Sequence, residues 1–84
     1  METTTPRPPE FQLGFKIIAD FQPSLVGAPL ENEMGWKDGV TMQLTSNGLL
    51  MGFNQGGVWS FGFKDLRTRE LYAWNPSSGL VKVV

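Results

Sequence analysis

The sequence predicts a mainly β fold: a β-rich α+β domain in which one short N-terminal helix packs on an antiparallel meander of about three to five strands. Two observations carry this prediction. Between residues 40 and 63 apolar residues recur at alternate positions, which is typical of strands. Turn sequences rich in Gly and Asn interrupt them at 46–48 and 54–57. The chain of 84 residues is therefore expected to form a single small domain, residues 11–84, behind an extended N-terminal arm, residues 1–10.

The N-terminal arm is rich in Thr, Pro and Glu. Its Pro8-Pro9 pair favours an extended backbone and lacks the amide donors that a sheet ladder needs. A segment of this composition does not bury enough apolar surface to fold alone. We therefore expect the arm to be held either by its own domain or by another chain.

The first element of the domain is predicted to be a helix of about two or three turns, because residues 11–21 place aromatic and aliphatic side chains at near-helical spacing. Pro23 follows the last of them and ends the pattern. Residues 24–39 contain several Gly and Pro residues and are predicted to be a loop. Val26 and Leu30 are expected to anchor this loop on the core.

The first predicted strand carries Val40, Met42 and Leu44 in alternation with polar residues. This pattern predicts that the apolar face is buried and the polar face is exposed. Asn47-Gly48 follows, and this pair favours a type I′ hairpin turn because both central positions need a positive φ. The chain is then expected to return as the second strand.

Two further strands are predicted at 58–63 and 68–74. The first of these has three aromatic residues on one face, and Trp59 is predicted to lie in the core because it shares that period. The pairing of the later strand is open at the level of sequence.

The C-terminal segment, residues 80–84, is predicted to be a fifth strand. Val81 and Val83 make it apolar, and an exposed apolar strand invites pairing. It is therefore expected to find an edge, either in its own sheet or in the sheet of another subunit.

The composition argues against several classes of function. Seven basic residues stand against eight acidic ones, which is not the basic surplus that nucleic-acid binding requires. The chain has no Cys and no His, which excludes disulfides, thiolate catalysis, ordinary zinc sites and His-assisted nucleophiles. It also has no phosphate-binding Gly-rich loop and no catalytic triad. We expect neither an enzyme nor a cofactor.

Glu31, Glu33 and Asp38 form the one cluster of carboxylates in the sequence. Oxygen ligands at this spacing suit a calcium ion or an acid–base pair. The sequence has no calcium-loop pattern, so the cluster is interpreted as turn capping and solvated charge.

The N-terminus shows neither the basic start nor the apolar stretch of a signal peptide. No segment reaches the roughly 18 apolar residues that a membrane helix needs. The expected location is therefore a virion or the cell interior, with the cell exterior reached as part of an assembly, and membrane insertion is not expected.

Three short segments carry a resemblance to a known family: Val-Gly-Ala-Pro-Leu-Glu-Asn-Glu at 26–33, Gln-Leu-Thr at 43–45 and Gly-Leu-Leu at 48–50, followed by an aromatic strand. Residues 14–63 thereby resemble a small LGFP-like module that accompanies peptidoglycan hydrolases, peptidases and other surface proteins of Gram-positive and filamentous bacteria. Here Met-Gly-Phe at 51–53 replaces the basic residues usual in that module. The resemblance implies a cell-wall association.

Two main functional hypotheses follow. The first is a non-enzymatic structural or interaction subunit of a larger assembly, such as a virion or a cell-surface component, because arms and edge strands add readily to a neighbour's sheet. Its partners are expected to be protein subunits, including copies of this chain. The predicted contact residues are Pro6, Arg7, Pro8, Pro9, Val81 and Val83.

The alternative hypothesis is an accessory module that binds cell-wall glycan. Trp36, Tyr72 and Trp74 are its predicted aromatic platform, since aromatic faces stack on sugar rings. Trp36 lies in a Gly-rich segment and is expected to be exposed. A further alternative is a small inhibitor or adaptor of a host protein, for which no particular residues argue.

Overall fold

The computed structural model describes residues 9–83, with the side chains of residues 36 and 37 excepted. The described elements are, in chain order, α1 (Leu13–Phe21), α2 (Pro23–Val26), β1 (Met34–Lys37), β2 (Val40–Leu44), β3 (Gly48–Gln55), β4 (Val58–Asp65), β5 (Leu71–Asn75) and β6 (Gly79–Lys82). The strands form one six-stranded sheet in the order β1-β2-β3-β4-β5-β6, and each pairs antiparallel with its neighbour in sequence. The predicted mainly β meander with an N-terminal helix is confirmed, with six strands rather than three to five.

The two central hairpins are closed by different chemistry. Gly56 and Gly57 have φ of 59° and 86° and connect β3 to β4, so the type I′ turn lies here. The prediction of such a turn at Asn47-Gly48 was wrong, because neither residue has a positive φ. Instead, the Thr45 hydroxyl accepts hydrogen bonds from the amides of residues 47 and 48, at 3.3 and 2.9 Å.

The sheet has two distinct faces, and the register assigns each residue to one of them because side chains alternate along a strand. The helix face carries the row Gln43, Leu50, Phe63 and Tyr72, which are partners across β2 to β5. The helices pack on this face, where Leu50, Phe63 and Leu80 form one core with Phe15, Ile18 and Ala19 of α1 and Val26 of α2.

The opposite face is called the open face from here on. Its apolar members are Met34, Val40, Met42, Leu44, Leu49, Met51, Phe53, Val58, Leu71, Ala73, Val81 and Val83. The assignment of β2 therefore corrects the sequence prediction. Gln43 and Thr45 are the buried residues, and the alternating apolar residues of β2 lie on the open face.

The buried polar residues of the helix face bond to backbone groups, although the Oε1 of Gln43 has no partner among the described residues. Gln43 is 1% exposed, and its Nε2 donates to the carbonyls of Glu10 and Glu31 at 3.0 and 2.8 Å. The amide of Glu10 also donates to the side-chain oxygen of Asn32, at 3.3 Å. The end of the N-terminal arm is thus held by its own domain at residue 10.

The segment predicted to be a loop, residues 24–39, contains the end of α2 and the edge strand β1. Val26 is fully buried, as expected, but Leu30 is 52% exposed and does not anchor the segment. The anchoring is done by backbone bonds instead: the amide of Leu30 donates to the carbonyl of Leu44 at 3.0 Å, beside a bridge between Pro29 and Thr45. Backbone pairing of this kind leaves no apolar signal in the sequence.

Helix α1 is tied to the far edge of the sheet as well as to its centre. The side-chain oxygen of Gln22, which follows α1, accepts from the amide of Leu80 in β6 at 2.5 Å. Gly79 precedes Leu80 with φ of 84°, and a Cβ at this glycine would lie 2.6 Å from the Phe21 ring. The close approach of α1 to β6 therefore requires glycine at this position.

None of the helices within residues 9–83 has the length and hydropathy to cross a membrane.

Candidate interaction surface

The open face is the largest feature of the described structure that the core does not account for. One row across all six strands carries Met34, Met42, Met51, Gly62, Ala73 and Val81. Val58 at one end of the face is 69% exposed, and Phe53 beside it is 40% exposed. Soluble proteins rarely leave an apolar patch of this extent in water unless it binds something.

The two halves of the open face differ in side-chain size. Three methionines lie in β1, β2 and β3, whereas Gly62 and Ala73 occupy the same row in β4 and β5. We call these the methionine half and the flat half. The methyl end of Met51 already reaches over Gly62, 3.8 Å from where a Cβ would stand, so Gly62 is buried, whereas Ala73 is exposed. Methionine also adapts its unbranched side chain to irregular surfaces.

The open face is nearly free of charge. Among the side chains that the structure describes, Lys64 is the one charged residue on this face, and it lies one residue from the end of β4. Its aliphatic stem can cover apolar surface while its ammonium reaches water at the margin of the sheet. A partner would therefore need to bury little charge.

The edge strand β6 borders the open face. Among the described strands it pairs with β5 alone, and the amide of Val83 extends the ladder by donating to the carbonyl of Leu71 at 2.8 Å. Val81 and Val83, the predicted contact residues, are exposed and belong to the open face. On the other face Lys82 lies 2.8 Å from Glu70, which lowers the pKa of Glu70 and raises that of Lys82.

Of the predicted contact residues of the arm, the structure describes Pro9. Pro6, Arg7 and Pro8 fall outside the described residues, and Pro9 is half-buried. Glu10 bonds to Gln43 of β2, four strands from β6. The structure therefore does not bring the described end of the arm to the edge strand.

The predicted glycan platform is not assembled. Trp36 lies in the edge strand β1, and its side chain is not described, whereas Tyr72 and Trp74 lie in β5 with three strands between. Tyr72 donates to Glu70 at 3.3 Å, and Trp74 packs edge-on against Phe21 with ring centroids 5.6 Å apart. The spacing of residues along the chain does not show which strands are neighbours in a sheet. The separation of Trp36 from Tyr72 and Trp74 could therefore not be predicted from the sequence.

Trp59 was predicted to be core, and this prediction was wrong. It is 48% exposed because it lies at the end of the sheet beside the β3–β4 turn, where α1 begins. Its ring stacks on Phe61, with centroids 5.8 Å apart and planes 7° apart. A cavity of about 220 Å³ opens beside this pair, lined by Gln12, Leu13, Gly14, Phe15, Glu33, Thr41, Trp59 and Phe61.

The buried carboxylate of the described structure, Asp65, serves a turn. Asp65 is buried at the β4–β5 turn, where it accepts from the amide of Arg67 at 2.9 Å and from its guanidinium at 2.9 and 3.2 Å. These bonds hold the pKa of the Asp65 carboxyl below its ordinary value. Within residues 9–83 no group of three or more acidic side chains is placed to hold a metal ion, Glu31, Glu33 and Asp38 included.

The residues that sequence reasoning missed are those of the open face other than Val81 and Val83. The available signal was Leu49-Leu50-Met51, a run that makes β3 apolar on both faces at once. Such runs are typical of sheets that are covered on both sides.

Comparison of the chain with family models, with curated proteins and with solved structures gives no match.

Proposed function

We propose that this protein is a non-enzymatic interaction subunit of a larger assembly, and that it docks on another protein subunit through the open face and the adjoining edge strand β6. The observation that carries the proposal is the open face itself. The six-stranded sheet is covered by helices on one side and is mainly apolar on the other, where the polar members among the described side chains are Gln55, Ser60, Lys64 and Asn75. An antiparallel sheet whose second face meets only water normally carries polar residues there.

The geometry of β6 supports the same proposal. No strand within residues 9–83 pairs with its outer edge, and Val81 and Val83 continue the open face to that edge. Edge strands of this kind extend a sheet when a partner supplies another strand. Lys82 is occupied by its ion pair with Glu70 on the helix face, so its charge lies away from the docking side.

The test is the native size of the complex that contains the chain in its source cells. We expect a tagged chain at natural abundance to sediment in a particle larger than a dimer of its 9.3 kDa mass. The variant Met51→Glu places a charge at the centre of the open face and should release the chain from that particle. Ile17→Glu is the matched control, because Ile17 is exposed on the outward side of α1.

A chain that sediments as a monomer or as a dimer in such an extract would contradict the proposal.

The predicted role of the arm in docking is tested by the same measurement. A variant lacking residues 1–8 keeps the bonds of Glu10 to Asn32 and Gln43, so its fold should persist. Loss of the particle with retention of the fold would assign the arm to docking.

A second candidate function is glycan binding, and the position of Trp59 favours it. The exposed indole lies between the apolar cavity and a shallower polar depression that includes Asp38, Thr41 and Asn54. Sugar recognition combines such an aromatic face with nearby hydrogen-bonding groups. This arrangement replaces the predicted platform of Trp36, Tyr72 and Trp74.

Co-sedimentation with insoluble bacterial cell wall tests this second candidate. The native chain should pellet with the wall and be competed by soluble wall fragments, and Trp59→Ala should stay in solution while remaining folded. Trp36→Ala is the comparison variant that distinguishes the two aromatic sites. A native chain that does not pellet would remove glycan binding from consideration.

A further inference from the structure

We infer that the occupant of the open face is a second copy of this chain, packed face to face about a two-fold axis that runs parallel to the strands. The inference rests on the proposed function in that it names the partner of the same surface. It would make the pair of sheets a β-sandwich with the helices outside, in which the mean strand directions of the two sheets are aligned, within the roughly 30° that such packing allows.

The difference in side-chain size across the open face supports self-association. A two-fold axis parallel to the strands, between β3 and β4, places β1–β3 of one copy over β4–β6 of the other. Met42 then faces Ala73 of the second copy, and Ala73 is exposed in a single copy. The methionine half of each copy would therefore lie over the flat half of its partner, twice in one interface.

The size of the face is sufficient for a dimer. Six strands about 4.8 Å apart, with about 3.3 Å per residue along each strand, give a face of roughly 29 by 20 Å. Two copies would bury on the order of 1,200 Å², which reaches the lower bound of specific protein interfaces. This area requires nearly the whole face, so a partner must be as flat and as wide as the sheet itself.

The distribution of charge is compatible with the same packing. Lys64 lies at the margin of the face in both copies, and under the two-fold axis it comes over Leu49 of the second copy rather than over another lysine. Its stem can lie along that leucine with the ammonium in water. No other charged side chain of the described open face has to be buried.

The test is sedimentation equilibrium of the purified full-length chain over a range of concentrations. We expect a dimer, and we expect Met51→Glu to raise its Kd by at least about a hundredfold because a charge would be buried without a partner. The control Ile17→Glu makes the same change on the helix side and should leave the Kd unchanged. A native chain that stays monomeric at about 1 mM, or a Met51→Glu variant that still dimerises, would overturn the inference.

A second variant distinguishes shape complementarity from nonspecific hydrophobic association. Ala73→Phe adds apolar area to the flat half, where it would collide with Met42 of the second copy. We expect the Kd to rise by at least about tenfold, although the face has become more hydrophobic. A lower Kd would mean that the face associates without the proposed register and would overturn the inference.

The outcomes also separate this inference from the proposed function. If the purified chain is monomeric but a particle in cells depends on Met51, the proposed interaction subunit is supported and the second copy is excluded, because a different protein then occupies the open face. A purified dimer, together with no larger particle in cells, would keep the second copy and remove the larger assembly.

Discussion

The Thr45 hydroxyl is predicted to stabilise the β2–β3 hairpin more than any apolar replacement could. Thr45 is 2% exposed, and its Oγ1 donates to the carbonyl of Val26 at 2.7 Å while accepting from the amide of Gly48 at 2.9 Å. The hydroxyl thus links α2 to the β2–β3 turn. From the sequence, the closing of this turn was predicted to depend on Asn47-Gly48 alone. The informative substitution is Thr45→Val, which keeps the shape and removes the oxygen.

The magnitude follows from these two bonds. Each contributes about 1 kcal/mol net, and the buried amide and carbonyl left without partners cost roughly another 1 kcal/mol, so Thr45→Val should lose about 3 kcal/mol. Thr45→Ser is the matched control, because it keeps the oxygen and removes only a methyl group. Its loss should be about 1 kcal/mol.

Urea denaturation of the two variants measures the difference. With a slope of about 1 kcal/mol per molar urea for a domain of this size, the midpoint of the valine variant should lie roughly 2 M below that of the serine variant. Hydrogen exchange at the amide of Gly48 should accelerate in the valine variant alone. Valine is the more apolar residue and the better strand former, so a valine midpoint at or above that of serine would refute the role assigned to the hydroxyl.

Three further predictions concern stability and are measured by urea denaturation at concentrations where the chain is monomeric. Gly48→Ala should lower the free energy of unfolding by about 3 kcal/mol, because the added Cβ would overlap a backbone carbonyl of β4. Gly56→Asn should lower it by less than about 1 kcal/mol, because Gly56 has a φ of 59° and no atom lies within 4 Å of the added Cβ. Equal losses would contradict the close approach at Gly48. Asp65→Asn should lower the free energy of unfolding by about 1 kcal/mol at pH 7. Because the pKa of the Asp65 carboxyl is lowered on folding, this difference from the native chain should vanish as the pH falls below 3.8. A difference that persists in acid would contradict the pairing of Asp65 with the neighbouring guanidinium. Leu50→Thr should lower the free energy of unfolding by about 3 kcal/mol, because Leu50 is buried on the helix face. Met51→Thr should lower it by less than about 1 kcal/mol, because Met51 lies on the open face. The reverse order of the two losses would contradict the register.

The meander was predictable because its evidence is local. Turn residues and period-two patterns separate β2, β3 and β4 in the sequence itself, and the aromatic residues of β4 were correctly placed on one face. The short strand β1 was missed because it has only four residues, lies in a segment rich in Gly and has an irregular register between Gly35 and Lys37. Its pairing depends on β2, which is tertiary information.

The face covered by the helices could not be predicted from the sequence. Both faces of β3 are apolar, so the pattern of that strand does not choose between them. In β2 the choice was made wrongly, because apolar residues were expected to be the buried ones. The helix face accepts Gln43 and Thr45 since α2, the arm and the loop supply backbone partners for them, and such partners are set by the chain path rather than by the strand sequence.

This exchange of polar and apolar residues between the two faces bears directly on function. Small domains have little apolar surface to bury, and this one leaves methionines and valines of its sheet in water while it buries Gln43, Thr45 and Asp65 under its helices. Each of those three residues makes side-chain hydrogen bonds, although the Oε1 of Gln43 has no partner among the described residues. Exposing a whole apolar face contributes nothing to the stability of a monomer. The open face is therefore better explained by what it contacts than by how the chain folds. A second layer over that face would complete the core that one copy of the chain forms only on its helix side.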